Sequence, residues 1–178
     1  MSRRETGIRT SAVFLAGAFA ASGLWPLAAQ QAGSRQTREF VQAAAQSDTF
    51  EELEAQTVLG QSADPQIRAF AQQMIEAHMQ TTAALAAATM RAGLEPPSKA
   101  MSSDQAQWLG ALQSVRGPEF DRLYVRQQVL AHRSALITEQ RYASGGDQLD
   151  VKLAAASATP IIASHLQMAE QMQAKFGG

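Results

Sequence analysis

The sequence lacks cysteine, is poor in aromatic residues and has no dominant sign of charge, and each shortage excludes a class of protein. Without cysteine among its 178 residues, the chain has no disulfide, no thiolate zinc site and no cysteine nucleophile. Phe, Trp and Tyr make up only 6% of the residues, which leaves little material for the faces of a β-sheet. The formal net charge of -1 argues against a nucleic-acid partner. Gly-rich phosphate loops and nucleophile elbows are missing as well.

The first 29 residues have the features of an export signal. Three arginines, the last of them Arg9, precede an uncharged and mostly apolar stretch from Ser11 to Trp25. Small residues follow, and we expect cleavage near Ala29. The adjacent Arg3 and Arg4 leave twin-arginine export open beside the general secretory route.

Cleavage at this place leaves a polar linker at residues 30–36 and a mature domain at residues 37–178. The apolar stretch is shorter than the roughly 20 residues that span a bilayer, so no transmembrane segment is expected after cleavage. We therefore expect a periplasmic or secreted protein, with peripheral association with the outer membrane as a further option. Its protein partner and oligomeric state stay open.

Proline and glycine divide the mature part into four long helices. Asp64-Pro65 and Gly117-Pro118 each combine a helix-starting residue with proline near the first helical position, and Asp147 follows a glycine pair and is the expected cap of the last helix. The predicted long helices run from about 37 to 62, 64 to 92, 117 to 145 and 147 to 175. A short helix at 104–115 is expected in the long crossover between the second and third. The connections between successive long helices are therefore short, long and short in turn. This order predicts an all-α, ferritin-like four-helix bundle.

The apolar stripe of three of these helices is interrupted by histidine. His78 follows Met74 by four residues, His132 follows Val129 by three, and His165 follows Ile161 by four. Steps of three and four place residues on one helix face, so all three imidazoles are expected to face the core.

The first helix offers Glu51 at the corresponding seam position. Glu51, His78 and His132 are each the fifteenth residue when counted from Thr37, Asp64 and Pro118 respectively, and His165 is the nineteenth from Asp147. At about 1.5 Å of rise per residue the offset of His165 is roughly 6 Å. Pro160 is expected to break or kink the fourth helix just before His165.

Several segments of the sequence resemble the bacterial domain-of-unknown-function family 4142. They are Arg38 to Ala45, Asp64 to His78, Phe120 to Tyr124, Ala131-His132 and Thr159 to His165. The resemblance covers about residues 38–173. It implies an exported, ferritin-like helical bundle of a kind often labelled outer-membrane protein, without an established activity. The family pattern has aspartate directly before the histidines of the second and third helices, where this sequence has Ala77 and Ala131.

Two classes of function follow. The first is a non-enzymatic interaction or stress-associated protein of the cell envelope, in which the histidines are structural. The second is a protein that binds one transition-metal ion, zinc, copper or iron, through Glu51, His78, His132 and His165. Methionines near the histidines leave copper(I) open as a variant. A ferritin-type di-iron site is not predicted, because it needs Glu-x-x-His pairs and the residues three before the histidines are Ile75, Val129 and Ile162.

Overall fold

The computed structural model describes residues 33–176, which form five helices joined by short connections. The helices are α1 (Arg35–Gln61), α2 (Pro65–Arg91), α3 (Ser103–Ser114), α4 (Gly117–Gly145) and α5 (Leu149–Phe176). The predicted all-α fold is confirmed, together with the short helix in the crossover. Within the described range no helix is long and apolar enough to cross a membrane. The predicted signal segment and its cleavage position lie outside the described residues.

Polar side chains fix where the first three helices begin. The Ser34 hydroxyl accepts a hydrogen bond from the backbone N–H of Thr37, and the Asp64 carboxylate accepts from the backbone N–H groups of Gln66 and Ile67. Ser102 and Gln105 form a reciprocal capping box at α3. Since the first N–H groups of a helix have no partner inside it, these contacts set the helix starts that the sequence predicts.

The start of α5 differs from the prediction, because Asp147 is not its cap. The side chain of Gln148 instead accepts a hydrogen bond from the backbone N–H of Val151. Asp147 accepts from the hydroxyl of Thr37, which also lies 2.7 Å from the Tyr142 hydroxyl. This contact between α1 and the α4–α5 turn uses the carboxylate, and the helix begins at Leu149.

The long helices form two antiparallel hairpins, α1–α2 and α4–α5, which pack against each other through α1 with α4 and α2 with α5. Helix α3 lies against α1 and α4 along the crossover. The crossover leads back to the end of the bundle at which α2 begins, and α4 starts there. As a result α4 runs parallel to α2, and α5 runs parallel to α1. This is the ferritin-like arrangement.

Two apolar clusters fill the two ends of the bundle. The first contains the C-terminal part of α1 and the N-terminal part of α4, with Val58, Phe70, Phe120, Tyr124 and Ala169 among its members. The second lies at the opposite end, where Phe40 stacks on Tyr142 with ring centroids 4.1 Å apart. Between these clusters the buried residues are mostly polar, and this middle layer contains the three histidines.

Helix α5 continues through Pro160 without interruption, contrary to the expected break. Proline removes the hydrogen bond to the carbonyl of the residue four positions earlier, which is Ala156. Both Ala156 and Pro160 are exposed, so that carbonyl faces solvent. The loss is therefore tolerated on the outer surface of the bundle, while the opposite face of the helix still reaches the core.

Candidate metal centre

The fold brings His78 of α2, His132 of α4 and His165 of α5 together at mid-height in the bundle. The ring centroids are 5.8 Å apart for His78 and His132, 5.6 Å for His78 and His165, and 5.5 Å for His132 and His165. One ring nitrogen from each histidine lies within 4.8 Å of the corresponding atoms of the other two. The offset expected for His165 is therefore absent.

All three imidazoles are buried, and each has a ring nitrogen without a hydrogen-bond partner. These nitrogens are Nε2 of His78, Nε2 of His132 and Nδ1 of His165, and none of the residues 33–176 supplies a donor or acceptor to them. The exposed fraction is 2% for His78, 1% for His132 and 5% for His165. A buried polar atom without a partner is costly, so three in one layer call for an explanation.

Asp48 of α1 orients His78. One oxygen of its carboxylate lies 2.8 Å from Nδ1 of His78, and the other accepts hydrogen bonds from the hydroxyls of Thr81 and Thr82 at 3.0 and 2.9 Å. Because a carboxylate can only accept, Nδ1 of His78 carries a proton, and in the neutral form of this imidazole Nε2 has the lone pair. A carboxylate behind an imidazole in this way is the usual outer partner of a metal-binding histidine.

The backbone of α4 orients His132. Its Nδ1 donates to the carbonyl oxygen of Gln128, one turn earlier, at 2.9 Å. The tautomer is therefore the same as that of His78, with the lone pair on Nε2. Two of the three imidazoles thus present an unprotonated Nε2 that their surroundings have fixed in place.

Glu51, the predicted oxygen ligand, lies beside the histidines. Its Oε1 is 3.6 Å from Nδ1 of His132, and its Oε2 accepts a hydrogen bond from the Gln128 side chain at 2.5 Å. Glu51 does not belong to the set of ligand atoms that lie within 4.8 Å of one another in the described part of the chain, which consists of the three histidines. Whether it contacts a metal stays a prediction.

Next to Glu51, a second acidic side chain extends the polar layer toward the α4 start. The Gln128 amide also donates to Glu54 at 2.9 Å. Both glutamates are buried, at 1% exposure for Glu51 and none for Glu54, and the Oε1 atom of each lacks a partner among the described residues. The Tyr124 hydroxyl, also buried, is likewise without a partner there.

Burial decides the charge of the histidines. It lowers the pKa of His132 to about 3, assisted by the charge of His78, and it lowers the pKa of His165 to about 3. Burial also acts to lower the pKa of His78, but the hydrogen bond with Asp48 and the charge of Glu51 outweigh it and raise that pKa. His132 and His165 are therefore neutral at physiological pH, which is the form that binds metals.

Burial shifts the two glutamates in the opposite sense. It raises the pKa of Glu51 to about 7, against the opposing effects of His78 and of the Gln128 hydrogen bond. The pKa of Glu54 is raised well above its usual range by burial and by the charge of Glu51. Two neutral imidazoles therefore lie beside acids that resist ionisation, whereas the raised pKa of His78 favours its protonated form, so binding of a metal ion there would release a proton.

A groove between α2 and α5 leads from the surface to His165. Its lining includes Gln73, Glu76, Gln80, Ser164 and Met168 in addition to His165 itself. The side chains are polar or flexible, and the groove carries one acid and no Lys or Arg among the residues described. This is a route by which a hydrated cation could reach the centre.

The methionines near the histidines belong to the apolar packing. Met74 and Met172 are members of the first apolar cluster, and Met168 packs against it. Their burial is explained by the filling of gaps in an alanine-rich core, which is a common use of methionine. Their position therefore gives the copper(I) variant no additional support.

Asp48 is the residue of the centre that the sequence analysis missed. The helices were compared from their predicted starts, although the two helices of an antiparallel hairpin start at opposite ends of the bundle and are level at their middles. Residue 48 is the midpoint of Arg35–Gln61, and residue 78 is the midpoint of Pro65–Arg91. Counting from the middle would have paired Asp48 with His78. The family pattern has an aspartate directly before this histidine, where the present sequence has Ala77. Asp48 places a carboxylate beside His78 from another helix.

The bundle architecture and its central histidines define the class of this protein as a ferritin-like helical bundle with a buried polar layer. Residues 24–172 match the family described as a domain of unknown function, DUF4142. The chain belongs to that family, as its sequence resemblance implies.

A solved structure of similar fold is the crystal structure of a DUF305 fragment from Deinococcus radiodurans. The two share 16% sequence identity with a TM-score of 0.70, and the match covers 81% of this chain and 99% of the other. At this identity the likeness concerns the fold alone. No curated protein matches the sequence of this chain.

Proposed function

We propose that this protein binds a single transition-metal ion through His78, His132 and His165. The observation that carries the proposal is that one ring nitrogen from each histidine lies within 4.8 Å of those of the other two, in a buried layer where each imidazole also has a ring nitrogen without a partner among the described residues. In His78 and His132 the other ring nitrogen is held by Asp48 or by the Gln128 carbonyl. Fixed outer contacts together with free inner lone pairs are what a metal site requires.

Purely structural histidines explain this layer less well. A histidine that only stabilises a core is expected to satisfy both ring nitrogens or to expose one of them to water. Each unsatisfied buried polar atom costs about 1–3 kcal/mol, so three of them destabilise the folded state with no compensating interaction. A bound ion would satisfy all three at once.

The donor set favours a borderline metal. Imidazole nitrogens suit zinc, copper, iron and nickel ions, with metal–nitrogen bonds of about 2.0–2.1 Å for zinc. Glu51 is the nearest carboxylate outside the three ligands and balances part of the charge of the ion. The centre accounts for one ion only, since the described residues contain one group of potential ligands that meet.

The proposal places this activity in the cell envelope. The export signal predicted at residues 1–29 is its basis, and mass spectrometry of the protein recovered from the periplasm tests it. A mature N-terminus near Gln30 supports export, whereas an intact Met1 with cytoplasmic recovery contradicts it. Binding of a metal and association with an envelope partner are separate properties, and the described geometry supports the first.

Elemental analysis with thermal melts tests metal binding. The protein is purified without chelator or affinity tag, its metal is measured, and melts are recorded with and without Zn(II), Cu(II), Cu(I) and Fe(II). We expect about one ion per chain, and an ion in 100-fold excess over its Kd should stabilise the fold by about 2.7 kcal/mol.

Variants connect the effect to the site. His78→Ala and His132→Ala should each abolish the metal-dependent rise in melting temperature. The exposed residue Gln72 lies on the same helix as His78, and Gln72→Ala should leave the rise intact. If the wild-type protein takes up no ion after dialysis against each metal, or if both histidine variants keep the rise, the proposal is wrong.

A cobalt spectrum tests the place of Glu51. Tetrahedral Co(II) absorbs strongly in the visible range, so it reports its own coordination. Glu51→Gln should weaken binding but preserve the band shape, because Glu51 is placed outside the ligand set. A changed band shape would make Glu51 a direct ligand, as the sequence predicts.

A further inference from the structure

Two half-open cavities lie beside the histidine layer, toward the α5 start. One, of about 270 Å³, opens between α1, α3 and α4, and the other, of about 230 Å³, lies between α1, α2 and α5. Both are lined by Ala44, Asp48, Glu139 and Ile162. Since these four residues form a shared wall, a ligand in either cavity would meet the same two acids.

Glu139 is the unexplained group in this wall. Its side chain is buried, with 6% exposure, and its Oε2 has no hydrogen-bond partner among residues 33–176. Asp48, in contrast, has both oxygens engaged by His78, Thr81 and Thr82. Burial, together with the charge of Asp48, raises the pKa of Glu139 to about 8. A buried acid that lacks a hydrogen-bond partner and lies next to a cavity is a candidate group for binding a ligand.

The lining of both cavities has one sign of charge. Three acids line them, namely Asp48, Glu139 and, at the α3 side, the exposed Asp104, and no Lys, Arg or His is present among the described residues that form the walls. The rest of the wall is mixed in the first cavity, where Gln, Ser and Thr side chains lie beside apolar ones, and mostly apolar in the second. The larger apolar members are Phe40, Phe50, Leu85, Trp108, Leu130, Ile161 and Ile162. An anion is disfavoured here, and a cation with an apolar body is matched on both counts.

We propose that these cavities form a binding site for a small organic cation, a primary ammonium group attached to an apolar chain or ring, with Glu139 as its anchoring carboxylate. The ammonium group would donate to the free oxygen of Glu139 and restore its ionised form. The apolar body would displace water from the alanine-rich and aromatic walls. The site uses Glu139 as its binding group and none of the three histidines, and Asp48, whose oxygens are already engaged by His78, Thr81 and Thr82, is the residue that it shares with the metal centre.

Calorimetry with three isosteric probes tests this site. Hexylammonium, hexan-1-ol and hexanoate share one apolar chain and differ in the charge of the head group. They are titrated at pH 7 into the purified protein, once as isolated and once after removal of metal with chelator. We expect hexylammonium to bind one per chain in both preparations, about tenfold or more tightly than hexan-1-ol, and hexanoate to bind weakest.

Variants show whether binding occurs at Glu139. Glu139→Gln keeps the shape of the side chain and should reduce hexylammonium affinity about tenfold, bringing it to that of hexan-1-ol. Ala44→Leu fills the shared wall and should weaken both probes, while Glu119→Gln, an exposed change on the same helix as Glu139, should alter neither. Circular dichroism melts show that each variant folds.

The outcome is decided by the head group. Equal affinity for hexylammonium and hexan-1-ol, no binding of hexylammonium, or hexylammonium affinity that Glu139→Gln leaves unchanged would each overturn the proposal. Because one preparation contains no metal, a failure here is distinct from a failure of metal binding at the histidines.

Discussion

The ends of this bundle and its middle layer are built for different purposes. At one end Phe, Tyr, Val, Ile, Leu, Met and Ala side chains pack together, and at the other end Phe, Tyr, Val, Leu and Ala side chains do. In the middle, Asp48, Glu51, His78, His132 and His165 are buried instead. Every long helix contributes to both kinds of region, so one set of helices supplies stability at its ends and chemistry at its centre.

The difference indicates that the middle layer contributes less to stability than the ends do. Ordinary packing of apolar side chains there would satisfy the fold and avoid the cost of unpaired polar atoms. The apolar clusters at the ends must therefore provide enough stability to offset the cost of the unpaired polar atoms in the middle layer. Substitutions in the two regions should behave in opposite ways.

The largest effect is expected at an end of the bundle. Phe120 is 1% exposed in the first apolar cluster, and Phe120→Ala should destabilise the protein by about 3–5 kcal/mol, because it removes buried surface and leaves a cavity. Urea unfolding with and without added metal measures this loss, which should be the same in both conditions. A loss below about 1 kcal/mol would mean that this end contributes little to stability.

A pH-dependent effect of similar size is expected from Glu139. Its pKa is raised in the folded state to about 8, so its contribution to stability is present below the usual glutamate pKa and is lost as pH rises through 8. Between pH 5 and 9 the free energy of unfolding of the wild type should fall, relative to Glu139→Gln, by on the order of 3 kcal/mol. Chemical unfolding at several pH values measures the difference, and parallel curves for the two proteins would refute it.

A smaller effect is expected from the partner of His78. Asp48→Asn removes the charge that orients the imidazole, and loss of such an outer partner weakens metal binding by about 10- to 100-fold. Competition with a chromophoric chelator measures the Kd. Gln56→Ala, an exposed change on the same helix, serves as the control and should have little effect. An unchanged Kd for Asp48→Asn would show that Asp48 does not support a metal.

The smallest effect is expected at His165, and its sign distinguishes a metal ligand from a residue needed for packing. His165→Leu replaces a buried imidazole with an unpaired Nδ1 by an apolar side chain. It should therefore stabilise the metal-free protein by about 1 kcal/mol while it abolishes stabilisation by metal. Paired melts in chelator and in Zn(II) check both halves of this expectation. A less stable metal-free variant would indicate that His165 is needed for packing.

The helices were predictable because their signals are local. Asp64-Pro65, Gly117-Pro118 and the glycine pair before Asp147 each place a helix boundary within two residues of its position in the structure. The inward direction of the histidines also follows from helical periodicity alone. The aromatic residues eight positions before His78 and His132 are Phe70 and Tyr124, and they contact each other edge to face.

The register between helices was not predictable in the same way. It depends on how four helices of unequal length pack, and no single segment contains that information. The level of His165 and the contact of Asp48 with His78 were missed for this reason. Asp147 was assigned as a cap from its sequence position, but a contact with Thr37, more than a hundred residues earlier in the chain, competes for its carboxylate.

The three histidines come from both hairpins, one from α1–α2 and two from α4–α5. A chain whose hairpins have separated can offer at most two of the three imidazoles to one ion. An ion held by all three would therefore act as a clamp between halves of the molecule that no covalent cross-link joins. Release of the ion would then limit the rate at which the bundle opens. In the metal-bound protein, the slowest amide hydrogen exchange would lie along the middle turns of α2, α4 and α5 rather than in the apolar ends.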